Sequence, residues 1–181
     1  MLAVTSVNWQ PHLSGTSLRL RPLAESDFDA LFAAASDPLI WEVHPDRLRY
    51  TRERFEAYFR SGIESRGALA VLDLKSGKII GSSRYTSYNP QTSSVEIGYS
   101  FLTRDHWGGD HNRELKTLML NYAFQHVETA YFVVGRDNLR SRKAMTKIGG
   151  LLVTDLSETP VVERTDPFVV FQIAKKNWSQ T

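Results

Sequence analysis

The sequence contains no cysteine in its 181 residues. This absence excludes disulfide bonds, thiolate metal ligands and a cysteine nucleophile, so any covalent chemistry must use other side chains. Long apolar runs are missing too, because stretches such as 168–174 are far shorter than the roughly 20 residues that cross a bilayer. Residues 1–10 lack the basic start and apolar core of an export signal. We therefore expect a cytoplasmic protein that does not use a membrane.

Charge of one sign is also scarce, because the formal net charge is only +2. Basic and acidic side chains alternate along most of the chain, so a broad basic surface for nucleic acid is not expected. The exception is a basic cluster at 136–147, which favours a site for a compact polyanion. Length and composition predict an N-terminal leader at residues 1–16, which we expect to be partly flexible, followed by one folded domain at residues 17–181.

Hydrophobic periodicity predicts a mixture of helices and strands. The predicted helices lie near 26–37, 51–65, 110–126 and 138–148, and the predicted strands near 17–20, 68–74, 79–88, 95–101, 131–134, 151–156 and 167–174. Within the fourth strand, strict alternation places Val95, Ile97, Tyr99 and Phe101 on one face, which predicts a half-buried strand. Three strands in succession suggest an antiparallel meander, so the fold class is α/β.

The junction at 101–112 connects a predicted strand to the central predicted helix through Gly108 and Gly109. Free N–H groups at a helix start, reached through a glycine turn, can bind a pyrophosphate. The alternative is that the two glycines only make a tight turn. Two common nucleotide fingerprints do not fit, since the segment has no G-x-G-x-x-G and no glycine directly before Lys116.

Several motifs occur together in the order found in one known family. They are Trp107-Gly108-Gly109 with Glu114, Lys116 and Asn121-Tyr122-Ala123-Phe124; Asn138, Ser141, Lys147 and Gly149 in an N-x-x-S-x-x-x-x-x-K-x-G pattern; and the segments 18–23, 95–99 and 170–173 with Trp178. The chain resembles the GNAT superfamily of N-acetyltransferases over nearly its whole length. It is most similar to the branch that contains ribosomal-protein N-terminal alanine acetyltransferases.

The resemblance implies a GNAT fold, with a mixed, mostly antiparallel, V-shaped sheet and helices on both faces. It also implies direct transfer of an acetyl group from acetyl-CoA to a primary amine, such as a peptide or protein N-terminus or a small-molecule amine. A non-catalytic acyl-CoA-binding module with the same fold is the alternative. Monomer and homodimer both stay open.

One position departs from the family's pyrophosphate loop, which usually ends in glycine or alanine. Counted from Gly108, that position is Asp110, a carboxylate close to the expected phosphates. We interpret Asp110 as a helix cap that points outward. Asn112 and Lys116, one helical turn apart, would then face the pyrophosphate, although a plain polar helix face explains them equally well.

Acetyl transfer to an amine needs a proton acceptor, a stabilised oxyanion and a proton for the departing thiolate. Glu96 is the candidate general base, with a solvent-facing carboxylate as the alternative interpretation. By resemblance, the backbone at 98–102 binds the thioester oxygen and Ser141 protonates the thiolate, unless Ser141 is only structural. Asn138 is predicted to cap its helix, and by resemblance it also contacts the pantetheine arm.

The remaining predictions concern binding residues. The predicted coenzyme-binding residues are Phe101, Leu102, Thr103, Arg104, Trp107, Gly108, Gly109, Asn112, Lys116, Asn138, Ser141, Lys143 and Lys147, although a solvated basic face explains the lysines of the last helix equally well. The predicted acceptor pocket contains Trp41, Glu42, His44 and Tyr85, and core packing is the alternative for Trp41. No metal is predicted, because His106 and His111 share a loop without a third ligand at metal-site spacing.

Overall fold

The computed structural model describes residues 6–159 and 167–179. Residues 1–5 of the predicted leader, and residues 160–166 and 180–181 of the predicted domain, lie outside the described residues. The strands are β1 (Leu13–Ser14), β2 (Leu18–Pro22), β3 (Ala68–Asp73), β4 (Ile79–Asn89), β5 (Ser94–Leu102), β6 (Thr129–Gly135), β7 (Leu151–Leu152) and β8 (Phe168–Ala174). The helices are α1 (Phe28–Ala35), α2 (Arg52–Ser65), α3 (His111–Ala123) and α4 (Leu139–Lys147).

The described strands form one sheet in the order β1-β2-β3-β4-β5-β6-β8-β7. Every neighbouring pair is antiparallel except β5 and β6, which run parallel. A parallel pair needs a crossover connection, and α3 supplies it. The prediction of a mixed, mostly antiparallel sheet is confirmed, although the predicted strand at 151–156 is reduced to β7.

Helices cover both faces of the sheet, as predicted. On one face, α1 and α2 pack Leu31, Phe55 and Phe59 against strand residues such as Ala70. On the other face, α3 packs its apolar stripe against the sheet, and Met145 of α4 joins the same core. Among the described residues, no helix is long and apolar enough to cross a membrane.

Strand β5 differs from its predicted half-buried form. Val95 and Ile97 belong to the core beneath α3, whereas Phe101 is buried in the core beneath α1 and α2 and Tyr99 packs against it. The alternation changes face because β5 carries one extra residue between Gly98 and Phe101, relative to its partner β4. Most of β5 is therefore buried on both faces, and the prediction of one exposed face is wrong.

The sheet begins before the predicted domain boundary at residue 17. Leu13 and Ser14 pair with β2, and Trp9 packs against Tyr85 with ring centroids 5.1 Å apart. The carboxylate of Glu114 on α3 accepts hydrogen bonds from the Ser17 N–H at 2.9 Å and the Leu18 N–H at 3.2 Å. These contacts fasten α3 to the start of the sheet.

Candidate active site

The parallel strands β5 and β6 separate soon after they meet. Their pairing covers only Ser94, Val95 and Glu96 of β5, opposite Thr129, Ala130 and Tyr131 of β6. Beyond these pairs β5 continues to Leu102 and β6 to Gly135. The sheet therefore opens into a V at this point, as the family resemblance implied.

A β-bulge at Tyr99 accompanies the separation. Tyr99 has a φ of 52°, in the left-handed region that non-glycine residues rarely adopt. Tyr58 Oη donates a hydrogen bond to the Tyr99 carbonyl at 2.7 Å, and the Arg84 guanidinium lies 4.2 Å from the Tyr99 ring centroid. Contacts from α2 and β4 thus hold the strained backbone in place.

A cavity of about 520 Å³ occupies the mouth of the V. Its walls come from the end of β5, the loop before α3, the first turns of α3, and one side of α4. Many predicted coenzyme-binding residues line it together: Phe101, Leu102, Trp107, Gly108, Gly109, Asn112, Ser141, Lys143 and Lys147. The structure therefore brings into one place residues that lie up to 46 positions apart in the chain.

The start of α3 faces this cavity. The first intrahelical hydrogen bond runs from Glu114 N–H to Asp110 C=O at 2.8 Å, so the preceding N–H groups have no intrahelical acceptor. Gly108 has a φ of +75°, which lets the chain turn into the helix. Such a helix start attracts an anion through its N–H groups and its dipole.

Asp110 occupies the N-cap position of α3, as predicted, but its side chain makes no capping hydrogen bond. The residue is exposed and belongs to the cavity lining. The prediction that the Asp110 side chain caps the helix is therefore wrong. Any phosphate at this helix start would meet a negative charge that other residues must offset.

Four cationic side chains line the same cavity: Arg113, Arg140, Lys143 and Lys147. The Arg140 guanidinium lies 3.5 Å from the Trp107 ring centroid, which fixes it over the loop. Burial lowers the pKa of Arg140, and nearby Glu42 raises it, but an arginine keeps its charge. Cations thus outnumber the single carboxylate, and the lining suits a polyanion.

Sequence reasoning did not select Arg113 as a cavity residue. The sequence could have indicated it, because Arg113 lies in the first turn of the helix that follows the glycine loop. Side chains in that turn lie close to an anion bound by the free N–H groups.

Four of the predicted coenzyme ligands lie outside the cavity lining, and two of these, Arg104 and Thr103, belong to the loop that follows β5. Arg104 forms a short ion pair with the Asp37 carboxylate, which caps the turn after α1. The Thr103 hydroxyl hydrogen-bonds to His106 Nδ1 at 2.8 Å. Both side chains are held by residues on the outer side of the loop, so the structure does not support their predicted contact with the coenzyme.

Lys116 is buried rather than turned toward the phosphates. Only 6% of its surface is exposed, and its Nζ donates to Ser100 Oγ at 2.7 Å. Its Nζ also lies 5.4 Å from the Phe132 ring centroid. Burial lowers the pKa of Lys116 to about 8. The predicted pairing of Asn112 with Lys116 fails, because only Asn112 reaches the cavity.

Glu96 is one of the most deeply buried polar residues, with 1% of its surface exposed. The solvent-facing interpretation is therefore wrong. Val95 and Ile97 on either side pack beneath α3, so Glu96 lies on the opposite face of β5. Ser87 Oγ donates to its carboxylate at 3.3 Å. The carboxylate stands on the last residue of β5 that still pairs with β6.

The start of α4 forms another wall of the site. Asn138 caps the helix, as predicted, because its side-chain oxygen accepts a hydrogen bond from the Ser141 N–H at 3.0 Å. This bond fixes Ser141 in the first turn, where its side chain lines the cavity. Asn138 is itself 8% exposed and is not part of the cavity lining, so its predicted contact with pantetheine stays a prediction.

The predicted acceptor residues have different environments. Trp41 is 2% exposed and donates from Nε1 to the Ala35 carbonyl at 2.8 Å, which fits its alternative role in the core. Burial first, and Arg49 second, lower the pKa of His44 to about 4, so its ring is neutral at physiological pH. Glu42 is exposed and lies near Arg140.

Tyr85 does not belong to an acceptor pocket. It is 1% exposed and lies in the core beneath α3. Its hydroxyl donates to the Met119 carbonyl at 2.8 Å. The prediction failed because strand alternation places Tyr85 opposite Ile97, on the face away from α2.

The prediction that His106 and His111 lack a third partner at metal-site spacing is also corrected. Asp73, at the end of β3, brings a carboxylate oxygen within 4.8 Å of a ring nitrogen of each histidine. Sequence spacing did not reveal this group, because Asp73 is more than 30 residues away and reaches the loop only through the fold of the β3–β4 hairpin.

A V-shaped sheet with an anion-attracting helix start at its opening defines the fold class of the acyl-CoA N-acyltransferases. The chain belongs to the GNAT acetyltransferase family, because the model of the acetyltransferase (GNAT) domain matches residues 17–150. The family prediction and the fold prediction are thereby confirmed. No curated protein matches the sequence.

Solved structures show the same fold. A GCN5-related N-acetyltransferase from Brucella melitensis is 23% identical, with a TM-score of 0.75 over 93% of this chain and 80% of its own. An acetyltransferase from Agrobacterium tumefaciens str. C58 is 25% identical, with a TM-score of 0.70 over 91% and 95%. Mycobacterium smegmatis RimJ in complex with CoA-disulfide is 14% identical, with a TM-score of 0.70 over 96% and 92%.

Proposed function

We propose that this protein is an acetyl-CoA-dependent N-acetyltransferase that transfers the acetyl group directly to a primary amine. The observation that carries the proposal is the cavity at the opening between β5 and β6. It combines the N–H groups at the start of α3 with four cationic side chains, which suits the pyrophosphate of the coenzyme. Membership of the GNAT family and the CoA-disulfide bound to RimJ support the same donor.

The thioester would lie along the unpaired end of β5. A backbone N–H in the stretch 98–102 would donate to the thioester oxygen and stabilise the negative charge that develops there. The separation of β6 from β5 beyond Glu96 supports this assignment, because it leaves one edge of β5 open to a ligand. Phe101 and Leu102 would contact the coenzyme from the same strand.

Glu96 would act as the general base. As the amine nitrogen forms a bond to the thioester carbon, the carboxylate accepts the proton that the nitrogen loses, directly or through water. Its position at the point of the V and its nearly complete burial support this role, since a carboxylate that is largely shielded from bulk water can take a proton directly from a bound amine.

Ser141 would act as the proton donor for the departing thiolate. When the carbon–sulfur bond breaks, the hydroxyl donates its proton toward the sulfur and recovers one from solvent. The hydroxyl lines the cavity, and the Asn138 cap holds the first turn of α4 at this wall. Each of the two proton transfers then has its own residue, Glu96 for the amine and Ser141 for the thiolate.

The acceptor would approach from the α1–α2 face. Glu42 and His44 follow Trp41 in the loop that joins these helices, and Glu42 lies close to Arg140 at the cavity. An exposed carboxylate here would attract a cationic amine or peptide N-terminus. The resemblance to ribosomal-protein N-terminal acetyltransferases favours a peptide N-terminus as acceptor.

The decisive experiment is calorimetric titration with acetyl-CoA, followed by a screen of amines and short peptides for release of free thiol. We expect micromolar binding and amine-dependent release. Absence of binding would refute the donor assignment. Binding without turnover for any amine would favour a non-catalytic acyl-CoA-binding module, which the Asp110 carboxylate in the cavity makes a specific second candidate.

Two substitutions test the residue roles. Glu96→Gln keeps the shape of the side chain but removes the base, so kcat should fall by about 10²-fold while acetyl-CoA affinity is preserved. Ser141→Ala should lower kcat by about tenfold with a similar affinity. Exposed Glu64→Gln and Ser157→Ala are matched controls that should change neither quantity. A normal rate for either test variant would remove that residue from its role.

A further inference from the structure

We propose that Asp73, His106 and His111 form a binding site for a divalent transition metal, with Zn²⁺ as the preferred ion. The site lies outside the candidate active site, on the other side of the loop that precedes α3. One ligand atom from each residue lies within 4.8 Å of the other two. The three residues are each half-buried, so an ion there would be reachable from solvent but partly shielded from it.

The set of ligands has the chemistry that such an ion prefers. Two imidazoles and one carboxylate are a common combination for Zn²⁺, with water completing a tetrahedral site. Imidazole also disfavours Mg²⁺ and Ca²⁺, which bind mainly oxygen. Ligand atoms around Zn²⁺ lie roughly 3.4 Å apart, as follows from metal–ligand distances of about 2.0–2.1 Å. Small side-chain rotations would therefore be enough to close the site.

A second layer of hydrogen bonds already orients two of the ligands. His106 Nδ1 is bonded to Thr103 Oγ1 at 2.8 Å, which leaves its Nε2 for a metal. The Asp73 carboxylate accepts hydrogen bonds from Ser76 N–H at 2.8 Å and Ser76 Oγ at 2.6 Å. Partners of this kind fix the tautomer of a ligating histidine and the direction of a ligating carboxylate.

The metal would connect the turn that follows β3 to the loop that precedes α3. Asp73 ends β3 at the start of a hairpin turn, whereas His106 and His111 flank the segment 107–110 that faces the cavity. A metal bound to all three would fix both ends of this segment to the end of β3. Metal binding should therefore restrict the loop at the start of α3.

The test is calorimetric titration of tag-free protein with ZnCl₂, with thermal denaturation in Zn²⁺ or in EDTA as a second readout. We expect one Zn²⁺ per chain with micromolar affinity, and a melting temperature raised by about 5–10 °C at a hundredfold excess over Kd. Neither readout uses a coenzyme, so failure of the proposed acetyltransferase activity would not affect the result.

Variants identify the ligands. His106→Ala, His111→Gln and Asp73→Asn should each weaken Zn²⁺ binding at least tenfold, and Asp73→Asn keeps an oxygen for the hydrogen bonds from Ser76. His12→Ala removes an exposed imidazole elsewhere and should leave the affinity unchanged. Absence of binding at 1:1 stoichiometry, or equal binding by wild type and all three variants, would overturn the proposal and leave a hydrogen-bonded surface cluster.

Discussion

Replacing Lys116 by methionine should stabilise the protein near neutral pH. The ammonium is buried and donates a hydrogen bond to Ser100 Oγ, and burial lowers its pKa from an ordinary value of 10.5 to about 8. The unfolded chain therefore binds the proton more tightly than the folded chain does. Linkage then makes the charged lysine cost about 3 kcal/mol of stability near pH 7 and about 1 kcal/mol near pH 9.5.

The substitution also removes favourable contacts. Loss of the hydrogen bond to Ser100 costs about 1 kcal/mol. The Ser100 hydroxyl keeps a partner, because Ser83 Oγ lies 2.7 Å from it. Methionine has nearly the volume of the lysine stem, so no large cavity is expected. The net gain in unfolding free energy should be about 2 kcal/mol near pH 7 and close to zero near pH 9.5.

Urea denaturation of both proteins at the two pH values measures this difference. The sign is set by the lowered pKa: wild-type stability rises relative to the variant as pH increases from about 8 to 10.5. Lys143→Met, which replaces an exposed lysine on α4, is the control and should change stability little at either pH. A variant that is less stable than wild type by the same amount at both pH values would refute the reasoning.

Two further predictions concern the loop and the core. Gly108→Ala should weaken acetyl-CoA binding by about tenfold and cost roughly 1–2 kcal/mol of stability, because Gly108 has a φ of +75°. Gly109→Ala is the control for the same titration. It should bind acetyl-CoA normally, because a Cβ at this position would meet nothing closer than 3.7 Å. Tyr85→Phe removes a buried hydrogen bond, so it should lower the free energy of unfolding measured by urea denaturation by about 1 kcal/mol. The KM for every amine should stay unchanged. A raised KM would show that Tyr85 does belong to the acceptor pocket.

Local sequence patterns predicted the elements of the fold because each signal acts over a few residues. Asn138 caps α4 at the position where a capping residue was predicted. The strands predicted near 68–74 and 79–88 match β3 and β4 to within a residue at each end. The strand β1 was missed because its two residues, which pair with β2, are too few to show an alternating pattern.

The residues of the cavity followed from motif order, whereas the direction of individual side chains did not. Gly108, Asn112 and Ser141 reach the cavity as predicted. Lys116 shares a helix face with Asn112 by spacing, but its longer side chain folds inward between α3 and β5 to reach Ser100. Helical spacing fixes where a side chain starts, and tertiary packing decides where a flexible one ends.

The bulge at Tyr99 explains both the failed strand prediction and the location of the site. One extra residue moves Tyr99 and Phe101 to the α1–α2 face, and the same kink occurs where β5 loses its pairing with β6. The bulge is held from α2 by Tyr58 Oη and from β4 by the buried Arg84 guanidinium. Because Tyr58 and Arg84 belong to the α1–α2 face, the packing of that face holds the strained residue Tyr99 in place close to the point where the V opens.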